Sequence, residues 1–341
     1  MVVRFIEGFE IGDVNIYEAS TGNFTTDFPG RKLGLAENIP NGTFTTPQLT
    51  SAQSTWILGF GMYAESSIGS TSRVYCSLNL GGSSQFTLEL RRESSRFSLY
   101  AWRGGNLSVL IGSYNSDGSQ TFMTTDQWYF FEVKVVLSNA GSTGSVEVRL
   151  DGSASPLWSL SSVDTAAATG GADRLVWHTE NDWHFDDIRL LDGTGSSLND
   201  FQGPLEIVGF EPDGNGSVNN WSNEGGAASK VAAVTDDDSD TYLQSATNNQ
   251  GQMFSFSDIS GLVGTVYAVQ LNALMRVDSL GSRDARFVAR KASTNYDWGS
   301  AFDVAVTRSK GFFEIFDAQP DAAAWTLSDL QALEMGVEVA S

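Results

Sequence analysis

Residues 128–152 read WYFFEVKVVLSNAGSTGSVEVRLDG. The first ten alternate with period two. Trp128, Phe130, Glu132, Lys134 and Val136 share one face; Tyr129, Phe131, Val133, Val135 and Leu137 share the other. Successive side chains of a strand point to opposite sides, so the second set is the core face of a long strand. Residues 139–144, NAGSTG, are hairpin-loop chemistry. The chain returns through Ser145–Leu150 with Val146, Val148 and Leu150 inward, and Asp151-Gly152 is a tight-turn pair.

The same rhythm runs outward from this hairpin. Upstream, Val2–Glu10 predicts a short strand, and residues 12–54 predict short strands and loops. Trp56–Tyr63, WILGFGMY, is nearly continuous in apolar residues, which predicts a strand buried on both faces. Arg73–Leu80, Gln85–Arg91, Arg96–Trp102 and Leu107–Tyr114 follow, with turn residues between them. Strands recurring about every ten residues, without an amphipathic helix of three turns, predict a β-sandwich or barrel. Downstream, Trp177–Gly203 holds a strand with Trp183, Phe185, Ile188 and Leu190 apolar, then the loop-forming run Asp192–Asp200. The Asp186-Asp187 step breaks the alternation. One of these aspartates is therefore expected to face inward and accept backbone hydrogen bonds at a bulge or loop end. Further strands are predicted at Leu205–Phe210, Gln252–Phe256, Gly264–Arg276, Arg286–Arg290, Gly311–Phe316 and Glu334–Val339, and a helical turn over Thr326–Leu333.

Composition bounds the function. The chain has 341 residues and a formal charge of −21, spread over both halves. Such a surface repels phosphate backbones, which argues against nucleic-acid binding. No run of about 18 apolar residues is present, so no membrane insertion is expected. The N-terminus MVVRFIEGFE has no basic region followed by a long apolar run, so no signal peptide is expected and the protein is read as made in a cytoplasm. Cys76 is the single cysteine, so no intramolecular disulfide forms and stability rests on core burial or oligomerisation.

Two resemblances narrow the fold. The succession at 128–152, followed after a long excursion by WHFDDIRLLDG at 183–193, resembles the second half of a laminin-G or concanavalin A-like jelly roll. That likeness spans roughly residues 1–195 and implies that the last strand pairs near the N-terminal strand ending in Gly8-Phe9-Glu10. Residues 190–221, LLDGTGSSLNDFQGPLEIVGFEPDGNGSVNNW, resemble a joint in structural proteins of tailed bacteriophages. The second half continues that likeness through Asp238–Tyr242, Gly264–Gln270, Trp325–Leu327 and Glu334–Gly336. The expectation is an all-β protein of two antiparallel β-sandwich (jelly-roll) domains in tandem: 1–197, a linker at 198–204, and 205–341.

Candidate chemistry is sparse. His178 and His184, with Asp182, Asp186 and Asp187 nearby, supply too few ligands for a zinc site. Asp236, Asp238 and Asp240 meet a D-x-D-x-D spacing, but Thr241 and Thr247 stand where an EF-hand needs Gly and Glu. They remain weak calcium candidates beside the reading of a solvated turn. Glu89/Glu93, Glu147/Asp151 and Glu314/Asp317 lack the period-two carboxylate triple of concanavalin A-like glucanases. Trp102, Arg103 and Asn106 at a strand end, Tyr296 and Trp298, and Trp221 are glycan-binding candidates, since aromatic faces stack on sugar CH groups and Arg or Asn orients hydroxyls. The competing reading packs each Trp over a sandwich end.

The resemblance implies a non-enzymatic structural protein on the outside of a phage particle. It would serve as capsid decoration or cement, or as a tail or neck appendage, and could adhere to a host-surface glycan. No cofactor is expected. Its partners would be other virion proteins and further copies of itself, a trimer foremost. A free lectin-like protein and a glycan hydrolase are the rival readings.

Overall fold

A computed structural model describes residues 3–8, 19–21, 25–31, 35–38, 41–49, 51–104, 107, 109–181, 183–194, 198–235, 240–256, 262–277, 283–304 and 310–340. Among the described residues the fold is all-β apart from two short helices. The chain forms two compact units, Met1–Gly209 and Phe210–Ser341.

The first unit contains Val3–Glu7 (β1), Ala19–Thr21 (β2), Thr25–Pro29 (β3), Leu35–Asn38 (β4), Thr43–Thr45 (β5), Thr55–Ala64 (β6), Arg73–Leu80 (β7), Ser83–Glu93 (β8), Arg96–Arg103 (β9), Val109–Tyr114 (β10), Trp128–Val136 (β11), Gly144–Leu150 (β12), Trp158–Val163 (β13), Arg174–Thr179 (β14) and Trp183–Asp192 (β15). They make two antiparallel sheets. One runs β13-β12-β11-β6-β15-β4-β3, with β1 also paired to β15; the other runs β10-β9-β8-β7-β14-β5-β2. The N-terminal strand thus lies on the last one, with Phe5 opposite Leu190.

The core between the sheets is aromatic. Trp177 meets Phe60 and Phe185 edge-on at 4.8 and 4.9 Å and stacks on Phe44 at 5.9 Å. The alternation at β11 holds: Tyr129, Phe131, Val133, Val135 and Leu137 are buried. Cys76 is buried in the same core.

The outer face of the eight-stranded sheet is buried as well, which bears out the two-sided burial expected for WILGFGMY. A Cβ on Gly59 would stand 2.8 Å from the Arg189 guanidinium, and one on Gly61 would stand 3.0 Å from Arg31 Cδ. These glycines leave room for two arginines, whose guanidinium carbons lie 4.8 and 4.9 Å from the Phe130 ring centroid. The expected bulge is present: the β15–β6 register shifts between Asp186 and Arg189, and Asp187 has φ 54°.

The strand expected at Leu205–Phe210 is absent. The backbone there is engaged by buried side chains instead of a neighbouring strand. Gln202 and Gly203 N–H groups donate to Glu132 at 2.8 and 2.9 Å, and Ile207 N–H donates to Asp187 at 2.6 Å. Arg189 Nη2 donates to the Gly203 carbonyl at 2.6 Å, and Arg31 Nη2 to the Leu205 carbonyl at 2.7 Å.

The second unit contains Gly214–Asn219 (β16), Ser222–Glu224 (β17), Ala232–Thr235 (α1), Tyr242–Gln244 (β18), Gly251–Ser255 (β19), Val269–Met275 (β20), Asp284–Lys291 (β21), Thr294–Asp297 (β22), Phe302–Asp303 (β23), Lys310–Phe316 (β24), Leu327–Gln331 (α2) and Glu334–Val339 (β25). A sheet of order β16-β19-β25-β21-β22, with β23 on β21, is accompanied by the ribbons β17–β18 and β20–β24. The long strand expected over Gly264–Arg276 shortens to Val269–Met275. The helical turn expected near Thr326 is α2, whose N-cap Thr326 accepts from the Asp329 N–H. No helix among the described residues is long and apolar enough to cross a membrane.

Candidate functional site

The outer face of the seven-stranded sheet collects polar and aromatic side chains in rows. The inward set of each strand (Val74, Cys76 and Leu78; Phe86, Leu88 and Leu90; Phe97, Leu99 and Ala101) fills the core. The alternate set must therefore face outward. Register aligns that set across strands. One row reads Thr43–His178–Tyr75–Glu89–Tyr100–Ser113. The next reads Thr45–Val176–Ser77–Thr87–Trp102–Leu110. Arg73 and Arg91 pair on the other side of the first row, with Ser98 opposite Arg91.

Glu89 is the hub. It has no solvent exposure, although it lies on the outward side. Its Oε2 accepts the Trp102 indole N–H at 2.9 Å, and its Oε1 takes Arg91 Nε at 2.8 Å. Arg73 Nε stands 3.6 Å away. The Arg91 guanidinium covers the Tyr100 ring at 4.5 Å, and Trp102 lies at 6.3 Å and 29° from the same ring. Trp102 is only partly buried, so Glu89 fixes an indole that remains accessible.

Each guanidinium on this face has a carboxylate of its own chain. Arg73 lies beside Glu89 and Glu180, Arg91 beside Glu89 and Glu93, Arg96 beside Glu93, and Arg174 beside Asp173. Four guanidiniums meet four carboxylates, so the ion pairs of this face balance in charge. Burial lifts the Tyr75 hydroxyl above its ordinary range, and its hydrogen bond from Arg73 holds that guanidinium firmly charged. Burial opposes ionisation of Glu93, but hydrogen bonds from Arg96, Tyr100 and Arg91 keep its carboxyl below the usual value. The stretch after β13 meets one end of the face: Ala168 N–H donates to Gln85 Oε1 at 2.9 Å.

The residues singled out from sequence disperse. Trp102 belongs to this face, Arg103 takes the inward parity of β9 and pairs with Asp164 at the strand end, and Asn106 lies outside the described residues. Trp298 stacks on Phe316 at 3.7 Å and meets Trp325 at 5.6 Å, so it packs with the second unit's core. Tyr296 sits on β22 opposite Ala289, and the Trp221 indole donates to the Gln250 carbonyl at 2.8 Å. The two histidines lie on different sheets. His178 Nδ1 is 2.8 Å from Thr43 Oγ1, whereas His184 stacks on Phe28 at 3.8 Å and pairs with Glu65 at 2.9 Å. Asp182, Asp236 and Asp238 lie outside the described residues, and Asp240 is exposed. No group of three or more His, Cys, Asp or Glu among the described residues could hold a metal ion. Tyr75, Glu89, Arg91 and Tyr100 were not candidates for the glycan site; only the period-two FTLEL and RFSLYAW patterns hinted at a shared outward face.

No family model matches the chain, and no curated protein matches it. Solved structures match about half of the chain. The galectin LEC-6 of Caenorhabditis elegans is 12% identical with a TM-score of 0.29, over 43% of this chain and 89% of that one. Domain 4 of AbnA, a GH43 extracellular arabinanase from Geobacillus stearothermophilus solved with arabinotriose, is 13% identical with a TM-score of 0.36, over 58% and 95%. The CBM2 module of the evolved Dit of Lactobacillus casei BL23 phage J-1 is 9% identical with a TM-score of 0.37, over 55% and 94%. At these values the likeness concerns the β-sandwich and nothing finer.

Proposed function

We propose that this chain is a non-enzymatic, glycan-binding β-sandwich protein, and that its site is the outer face of the seven-stranded sheet. The observation that supports this is the Glu89 hub, which holds the Trp102 indole and Arg91 in place beside Tyr100 and Tyr75. A ring held at a set orientation stacks on a sugar at little entropic cost, and the flanking guanidiniums and hydroxyls offer hydrogen bonds to sugar hydroxyls. Because the face is charge-balanced, its ligands are neutral oligosaccharides, not uronates or sulfated sugars. The central carboxylate is closed off by its partners, which speaks for binding over cleavage, since a general acid must reach its substrate.

The finer reading sets this activity on the exterior of a tailed-phage particle, in an oligomer, with a trimer favoured. It rests on the sequence resemblance of residues 190–221 and of the second half. A free lectin is the second reading, favoured by a face built wholly within residues 1–209. Electron microscopy of purified particles separates them: density for the chain on the particle surface supports the first, and its absence from particles together with glycan binding supports the second.

A further inference from the structure

The outer face of the eight-stranded sheet carries an arrangement that glycan binding does not use. Arg31, Glu132, Asp186, Asp187 and Arg189 are packed together there. Asp186 is 1% exposed, Asp187 2%, Arg189 3% and Glu132 1%. Arg31 pairs with Asp187, its Nε donating at 2.7 Å, and Arg189 Nη2 donates to Glu132 at 2.6 Å. Among the described residues, Asp186 accepts only backbone N–H groups, from Arg31 at 2.6 Å and Asp187 at 2.7 Å.

Counting decides the protonation state. Three carboxylates face two guanidiniums in a water-poor site. An uncompensated buried charge is costly, and the cheapest remedy is one proton. Asp186, the carboxylate with no guanidinium hydrogen bond, is where that proton belongs. Burial first, and the Asp187 charge second, push its carboxyl up to about 7. Near the cluster Lys134 pairs with Asp200, Arg149 with Glu147 and Arg4 with Asp192, His184 is hydrogen-bonded to Glu65, and Glu206 in the same stretch is exposed.

The same cluster supplies the hydrogen bonds that hold residues 202–207. We propose that residues 198–209 form a pH-sensitive strap, clamped to the sheet while the cluster holds one proton and loosened when that proton is lost. The protonated cluster is neutral; the deprotonated one carries −1 and sets a third anion beside the Glu132 and Asp187 carboxylates. Asp186 has its folded-state value raised above 3.8, so its contribution to stability is complete below about pH 4 and is lost as pH rises through about 7. The strap ends where the second unit begins, at Phe210.

Amide hydrogen exchange on the whole chain tests this. Protection at Gln202, Gly203 and Ile207, corrected for the intrinsic pH dependence of exchange, is compared at about pH 5.5 and about pH 8.5. The expected result is a loss of about tenfold or more at the higher pH, with β6 and β11 amides unchanged. Asp186→Asn, neutral throughout, should keep protection at the higher pH near the wild-type value at the lower one. Equal protection of the wild type at both pH values, or a loss in Asp186→Asn matching the wild type, overturns the proposal. Carboxyl carbon shifts give a readout that needs no variant. One buried aspartate titrating near pH 7 supports the strap, and titration of every aspartate below about pH 5 contradicts it.

Discussion

Glu89 and Asp186 are both buried carboxylates, and their surroundings give them different tasks. Glu89 lies beside Arg73 and Arg91 and accepts an indole N–H, so it is a fixed acceptor that orients Trp102. Among the described residues Asp186 takes its hydrogen bonds from backbone amides alone, with the Asp187 carboxylate beside it and the Arg31 charge only partly offsetting it. Single-residue space matters as much as charge. Gly59 is glycine because the Arg189 guanidinium occupies the place of a Cβ. Gly59→Ala should cost about 1–3 kcal/mol by overpacking, read as a lower denaturation midpoint, with glycan affinity unchanged. The sequence shows those glycines within an apolar run, but not the arginines above them. Arg31 and Asp187 are 156 positions apart, and period-two reading carries no information across that distance.

At the level of elements, alternation read the strands well because one face of each is apolar. β11 and β15 bury the residues their patterns assign, and the broken step at Asp186-Asp187 marks a real bulge. The reading of Leu205–Phe210 went wrong for a physical reason. Its apolar residues suggested a ladder, yet its backbone bonds to buried side chains, which no periodicity encodes. Ile207→Pro removes the N–H given to Asp187 and leaves that carboxylate short of a donor. The expected cost is about 1–3 kcal/mol in chemical denaturation, with weaker protection at Gly203. The candidate site was half legible for a related cause. Trp102 could be picked out as a loop-flanking residue, but the rows that add Tyr75, Glu89 and Tyr100 and set Arg103 apart exist only once strand register is set.

For the whole molecule, the strap bears on where the first unit ends. A chain ending at residue 209 keeps the donors to Glu132 and Asp187; one ending at 197 loses them and leaves buried carboxylates uncovered. The shorter chain should be less stable by about 3 kcal/mol or more, measured by urea denaturation of both. Equal stability would show that the strap contributes nothing to the fold. The two sheets thus divide their labour, one outer face buried beneath the strap and the other balanced in charge and carrying Trp102. The central claim is that the second face binds neutral glycans, and titration calorimetry of the whole chain against neutral and uronate oligosaccharides tests it most directly. Neutral ligands should bind, with Trp102→Ala weakening them about tenfold or more while circular dichroism shows the fold retained, and uronates should not. Binding of no glycan, or neutral binding that survives Trp102→Ala intact, would contradict it.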